Sequence, residues 1–198
     1  MGRRALLLLA AAFVTTVATA CKNGTDPAGS FVVTGHIENR TQASIPANAR
    51  LLAVWGVTAG SPDYSYVFGE GTINPLLGTF RILFDQPPPT KALNRGALGV
   101  AFIMTTTDQS LQVGDSIGNS YPVTEIIGVT GQYAVIFVQN RDTLTSPTWV
   151  DAFDDGYSVG VGVKALPSEV FDKFAPTSRS SPVLIIDNLA NIDIVNWT

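Results

Sequence analysis

The sequence predicts an all-β domain, an antiparallel β-sandwich of about ten short strands, with a closed barrel as the runner-up. Three observations carry this expectation. Apolar residues recur with period two in one segment after another. The segments are separated by turns that draw on 18 Gly and 12 Pro. A helical pattern is confined to one stretch, residues 167–174. Many short strands with Gly- and Pro-rich turns bury their apolar faces as a sandwich or a barrel, and the sandwich is the commoner solution.

Along the chain, Phe31, Val33, Gly35 and Ile37 share one face, opposite Val32, Thr34, His36 and Glu38. Residues 39–48 are polar and turn-like. Leu51, Ala53, Trp55 and Val57 then alternate with Leu52, Val54 and Gly56, so this strand is apolar on both sides and belongs in mid-sheet under a second layer. Residues 66–73 form a short strand interrupted by Gly69 and Gly71. Phe80, Ile82 and Phe84 oppose Arg81, Leu83 and Asp85. Pro87, Pro88 and Pro89 end that strand as a stiff turn, because proline cannot donate to a ladder and restricts the residue before it.

Leu98, Val100, Phe102 and Met104 make the next inward row, with Gly99 and Ala101 opposite them leaving room for a neighbouring layer. Strands over 113–117, 121–127 and 133–139 complete a central meander, with Gly128 and Gly131 bracketing its last connection. Residues 140–155 are irregular. The cleanest alternation runs over 157–164, with Tyr157, Val159, Val161 and Val163 on one face. Ser168 can cap the helix expected over 167–174 and Pro176 can stop it. Strands over 183–186 and 192–197 close the domain. A barrel would close through 121–139 and 157–164.

Composition supports a folded chain, with 45% hydrophobic and 14% charged residues. So few charges imply a coat of Thr, Ser, Asn and Gly. The formal charge is −4. An acidic chain without basic clusters has no electrostatic footprint for nucleic acid, so a nucleic-acid partner is excluded. The single cysteine forbids an internal disulfide, and the domain must rely on its core.

The amino terminus is the most informative segment. Arg3 and Arg4 precede an apolar run over 5–14, and small residues follow up to Cys21. The uncharged run over 5–20 is shorter than the roughly 20 residues of a spanning helix, and the pattern is that of a cleaved secretory signal. Val17-Ala18-Thr19-Ala20-Cys21 resembles a bacterial lipobox, with Ala18 where leucine is commonest. The resemblance implies that the Cys21 thiol receives diacylglycerol, that cleavage precedes it, and that the new amino terminus takes a further acyl chain such as palmitate. It also implies a lipoprotein of the cell envelope, held in a membrane by its lipid anchor; Lys22 at the next position leans toward the outer membrane. Cleavage would remove two bases and leave a charge of −6. The expected organisation is a signal peptide at 1–20, a lipidated cysteine and Gly/Pro/Asn-rich tether at 21–30, and one β-rich domain at 31–198.

No catalytic residue and no cofactor is expected. His36, the only histidine, has a side chain suited to acid–base work, but no nucleophile motif accompanies it, and a surface or packing role is the plainer reading. Asp151, Asp154 and Asp155 cluster before Gly156 and are a weak calcium candidate; they lack the alternating spacing of a full calcium loop and read first as a solvated loop. Tyr64, Tyr66 and Trp149 are the candidate ligand-binding aromatics, since such rings give large contact area at small entropic cost. The expected function is a non-enzymatic, lipid-anchored envelope protein that binds, scaffolds or assembles, with an envelope protein or glycan as partner. Two alternatives stand beside it. One is an extracytoplasmic carbohydrate-binding or carbohydrate-hydrolysing module, in which Trp149 and Asp151 or Asp154 share a groove. The other is a calcium-stabilised adhesin-like domain.

Overall fold

A computed structural model describes residues 30–56, 64–118, 125–144, 148–162, 175–177 and 182–186. Eleven strands form one sheet: β1 (Phe31–Asn39), β2 (Arg50–Gly56), β3 (Tyr64–Asn74), β4 (Thr79–Phe84), β5 (Leu98–Thr106), β6 (Ser116–Gly118), β7 (Ile126–Thr130), β8 (Tyr133–Val138), β9 (Gly156–Val161), β10 (Ala175–Pro176) and β11 (Val183–Ile186). Seven of them close on themselves in the order β5-β2-β3-β4-β1-β11-β7 and back to β5. The strands β8, β9 and β10 are bonded outside this ring through β8–β5, and β6 pairs with β3.

The expected sandwich is therefore replaced by a closed barrel. Closure uses only part of the segments expected for it: β7, within 121–139, belongs to the ring, while β8 and β9 lie outside it. The pairing is not wholly antiparallel either: β1 and β11 run parallel, His36 opposite Val183 and Asn39 opposite Ile186. Period-two alternation is common to sandwiches and barrels; register and edge sharing decide between them.

Two local features make the closure possible. Between Leu52 and Val54 the β2–β3 register slips by one residue, at Gly69, whose φ is +119°. A Cβ there would stand 2.8 Å from the Phe84 ring, so both the backbone angle and the space call for glycine. Such a bulge bends a strand and sharpens its twist, which a small barrel needs. The second feature is a fork. One edge of β5 is shared: Leu98–Ala101 pair with β8, while Met104–Thr106 pair with β7. The two ladders leave a gap, and there the Ile103 amide donates to Thr130 Oγ1 at 3.0 Å.

The barrel interior is filled. Val33, Leu51, Ala53, Trp55, Phe80, Ile82, Phe84, Ile103 and Leu184 form one cluster with Val135, Phe137 and Val159 of the outer strands, whose inner face continues the same core. Tyr157 joins this core at one end, with its ring centroid 4.8 Å from Phe137, 5.0 Å from Phe84 and 5.4 Å from Phe31. Trp55 lies against Gly99, where a Cβ would come within 2.8 Å of the indole. The indole Nε1–H donates to the Phe68 carbonyl at 2.8 Å.

The double-sided burial expected of β2 is real, and its outer cover is the 107–118 segment. Leu52 and Met104 pack there against Leu111 and Ile117. Arg50 ties that segment down, donating to the Asp108 and Leu111 carbonyls and pairing with Glu70 at 3.0 Å. The outer face of β5 and β8 is covered by the 3-10 turn Thr148–Ala152 through Val150 and by Phe153.

Some boundaries differ from expectation. Val113 lies in an exposed turn, and the strand expected over 113–117 is reduced to β6. Gly128, expected in a connection, sits inside β7, where Leu184 and Ile186 pack over it. Pro176 belongs to the two-residue strand β10, at a sheet edge where a missing N–H is tolerated. The helix expected over 167–174 and the strand over 192–197 lie outside the described residues.

Candidate functional site

Where β1, β4 and the 71–74 stretch of β3 pair, the side chains alternate between the core and the outside. Val33, Phe80 and Ile82 point inward and are buried, while Thr34, His36, Thr72 and Asn74 are exposed. Strand register aligns the outward residues into two rows. Thr34 lies opposite Arg81, which lies opposite Thr72; His36 lies opposite Thr79, which lies opposite Asn74. The rows line a dish of about 320 Å³, with Gly35 and Phe80 completing its lining.

The chemistry of this face is that of a donor array. One guanidinium, one imidazole, three hydroxyls and one carboxamide can donate hydrogen bonds, and among the described residues no carboxylate lines the dish. Backbone ladders hold the six residues, so the array is rigid apart from its rotamers. At adjacent-strand spacing of about 4.8 Å, three strands span roughly 10 Å, the scale of one sugar ring or one phosphate-bearing headgroup. The Glu38 carboxylate, on the same strand face beyond His36, accepts from Arg40 Nε at 2.9 Å. That hydrogen bond holds its pKa below the usual carboxylate value.

The residues singled out from sequence that the structure describes fall on several different elements. Tyr66 is half-buried on the core side of β3, with Lys91 Nζ 4.7 Å from its ring centroid and donating onward to the Gly114 carbonyl. Tyr64 begins β3, opposite Gly118. Trp149 belongs to the turn that packs on the outer face of β5 and β8, the face opposite the cluster that Tyr66 joins. The side chains of Tyr64 and Trp149, and all of Cys21, lie outside the described residues.

Asp151, Asp154 and Asp155 are all exposed. Asp155 accepts from the Arg141 amide at 2.7 Å, and Asp154 stands 4.0 Å from the Arg141 guanidinium. Asp155, with the Asn140 cap, thus anchors the 3-10 turn Arg141–Thr143, while Asp154 stays in solvent. Among the described residues, no three His, Cys, Asp or Glu side chains gather as a metal site. His36 is the one sequence candidate that belongs to the dish. The other five polar residues were missed because period two shows which face they occupy and says nothing of which strands adjoin.

Among the described residues, no helix is long and apolar enough to cross a membrane. Comparison with protein-family models, curated proteins and solved structures finds no match for this chain.

Proposed function

We propose that this chain is a lipid-anchored envelope protein, held through Cys21, whose role is non-enzymatic binding at the outward face of β1, β3 and β4. The observation that carries the reading is the donor array of Thr34, His36, Thr72, Asn74, Thr79 and Arg81, set in two rows by strand register. Such an array suits a ligand that offers hydroxyl or oxyanion oxygens, and Arg81 is its one fixed positive charge among the described residues. The lipobox-like segment ending at Cys21 supplies the anchor.

Each half has its own test. Cells fed an alkynyl palmitate should label the wild-type chain and not Cys21→Ser; equal labelling removes the anchor. A photo-crosslinking residue at Thr72 should capture a discrete envelope component, while the same residue at Gln112, exposed elsewhere, captures none. In that assay Arg81→Gln should lower capture about tenfold, the loss expected for one charge-assisted hydrogen bond. Capture that is equal at the two positions defeats the binding reading.

A further inference from the structure

The hairpin between β3 and β4 leaves apolar surface uncovered. Leu76 is 95% exposed and Leu77 72%, the largest exposures of any large hydrophobic side chain among the described residues. They are not held out by a loose loop. Asn74 Oδ1 accepts from the Leu76 amide at 3.1 Å and from the Leu77 amide at 3.0 Å. The Gly78 carbonyl accepts from the Ile37 amide at 2.9 Å, fixing the hairpin to β1. Two leucines presented by a fixed turn keep their full apolar area in water unless another surface covers them.

The reach of the chain from Cys21 points to a bilayer as that surface. Behind the tip on β1, β3 and β4 stand polar residues, Asn74, Thr79 and His36 among them. Cys21 precedes Phe31 by ten residues, and an extended chain of that length reaches about 33–36 Å. From Phe31 to His36, beside the tip, β1 covers about 17 Å. The tether is long enough for the tip to touch the membrane that holds Cys21.

We propose that Leu76 and Leu77 form a membrane-contact tip, inserted in the same bilayer as the acyl chains of Cys21, which sets the dish at headgroup level. This rests on the lipid-anchor reading. In the lipidated chain, reconstituted in vesicles of phosphatidylethanolamine and phosphatidylglycerol, an environment-sensitive label at Leu76→Cys should be quenched by brominated acyl chains. The same label at Gln112→Cys should not be. Equal quenching at the two sites, or none at Leu76→Cys, overturns the proposal. The unsubstituted chain has only Cys21, so its uptake of label or failure to float with the vesicles reports loss of the anchor separately. In the unanchored Cys21→Ser chain, adding Leu76→Ser and Leu77→Ser should lower vesicle partitioning roughly tenfold. Unchanged partitioning also overturns it, and substitutions at such exposed positions leave folding intact.

Discussion

Two fully buried threonines should respond to the same substitution with opposite signs. Thr130, 1% exposed, accepts at its hydroxyl oxygen from the Ile103 amide in the gap between the β5–β7 and β5–β8 ladders. Around it Val33, Ile103, Tyr133, Ala134 and Val135 leave no space for a water molecule. In Thr130→Val the amide loses its acceptor and no solvent can replace it, which costs about 1–3 kcal/mol. A chain of this size loses about 2–4 °C of midpoint per kcal/mol, so thermal unfolding should fall by about 2–12 °C. Thr130→Ser keeps the acceptor and loses one methyl, about 0.8 kcal/mol, so it should be the milder change. Thr105 is 0% exposed, and its hydroxyl finds no hydrogen-bond partner among the described residues. Thr105→Val removes that unpaired group at constant shape and should raise stability by about 1 kcal/mol. Thermal and urea unfolding measure all three variants, and amide exchange at Ile103 reads the bond directly. If Thr130→Val matches or exceeds Thr130→Ser, or if the two valine variants shift together, the fork is not held by this bond.

Three further outcomes are expected. The Tyr157 hydroxyl donates to the Gln86 carbonyl at 2.6 Å, and burial, with a smaller contribution from Asp85, pushes the phenol well above its ordinary value of 10. The folded state thus keeps a proton that the unfolded chain releases near pH 10. That contribution is complete below pH 10 and is lost as pH rises beyond it. Urea midpoints should decline above that pH, and Tyr157→Phe should decline less; identical slopes would refute the assignment. Gly99→Ala places a methyl 2.7 Å from Leu93 and 2.8 Å from Trp55, and should cost about 1–3 kcal/mol, measured by urea unfolding. Asn74→Ala frees the Leu76 and Leu77 amides, and amide exchange at both residues should accelerate with a loss of about 1 kcal/mol.

Much of the strand content is readable without coordinates, and the reason is local. Val33, Trp55, Ile82 and Val159 all sit on the inward faces that alternation gives them, because side-chain direction is set by the pleat. The architecture is not local. Whether β5 gives one edge to one partner or to two depends on Thr130 filling the gap, and nothing in the order of residues around Thr130 announces that role. The slip at Gly69 is partly visible as a glycine in a strand, yet its consequence needs Phe84 from another strand. For the candidate site, His36 stood out as the only histidine, while Arg81 and Thr72 gained meaning only when register set them side by side. Of the candidate aromatics only the Tyr66 side chain is described, and it lies on the core side of β3, packed against the main cluster.

The parallel seam between β1 and β11 has a consequence for how the chain reaches this shape. It joins the first strand to one beyond residue 182, so the ring cannot shut until nearly all of the chain is present. Until then β1 and β7 each carry an open edge, the kind of surface on which a second copy can pair. Loop-closure entropy places this seam late, after the local hairpins have formed. The last-made segment is thereby the latch, and a chain cut short before Val183 should be sticky rather than merely loose.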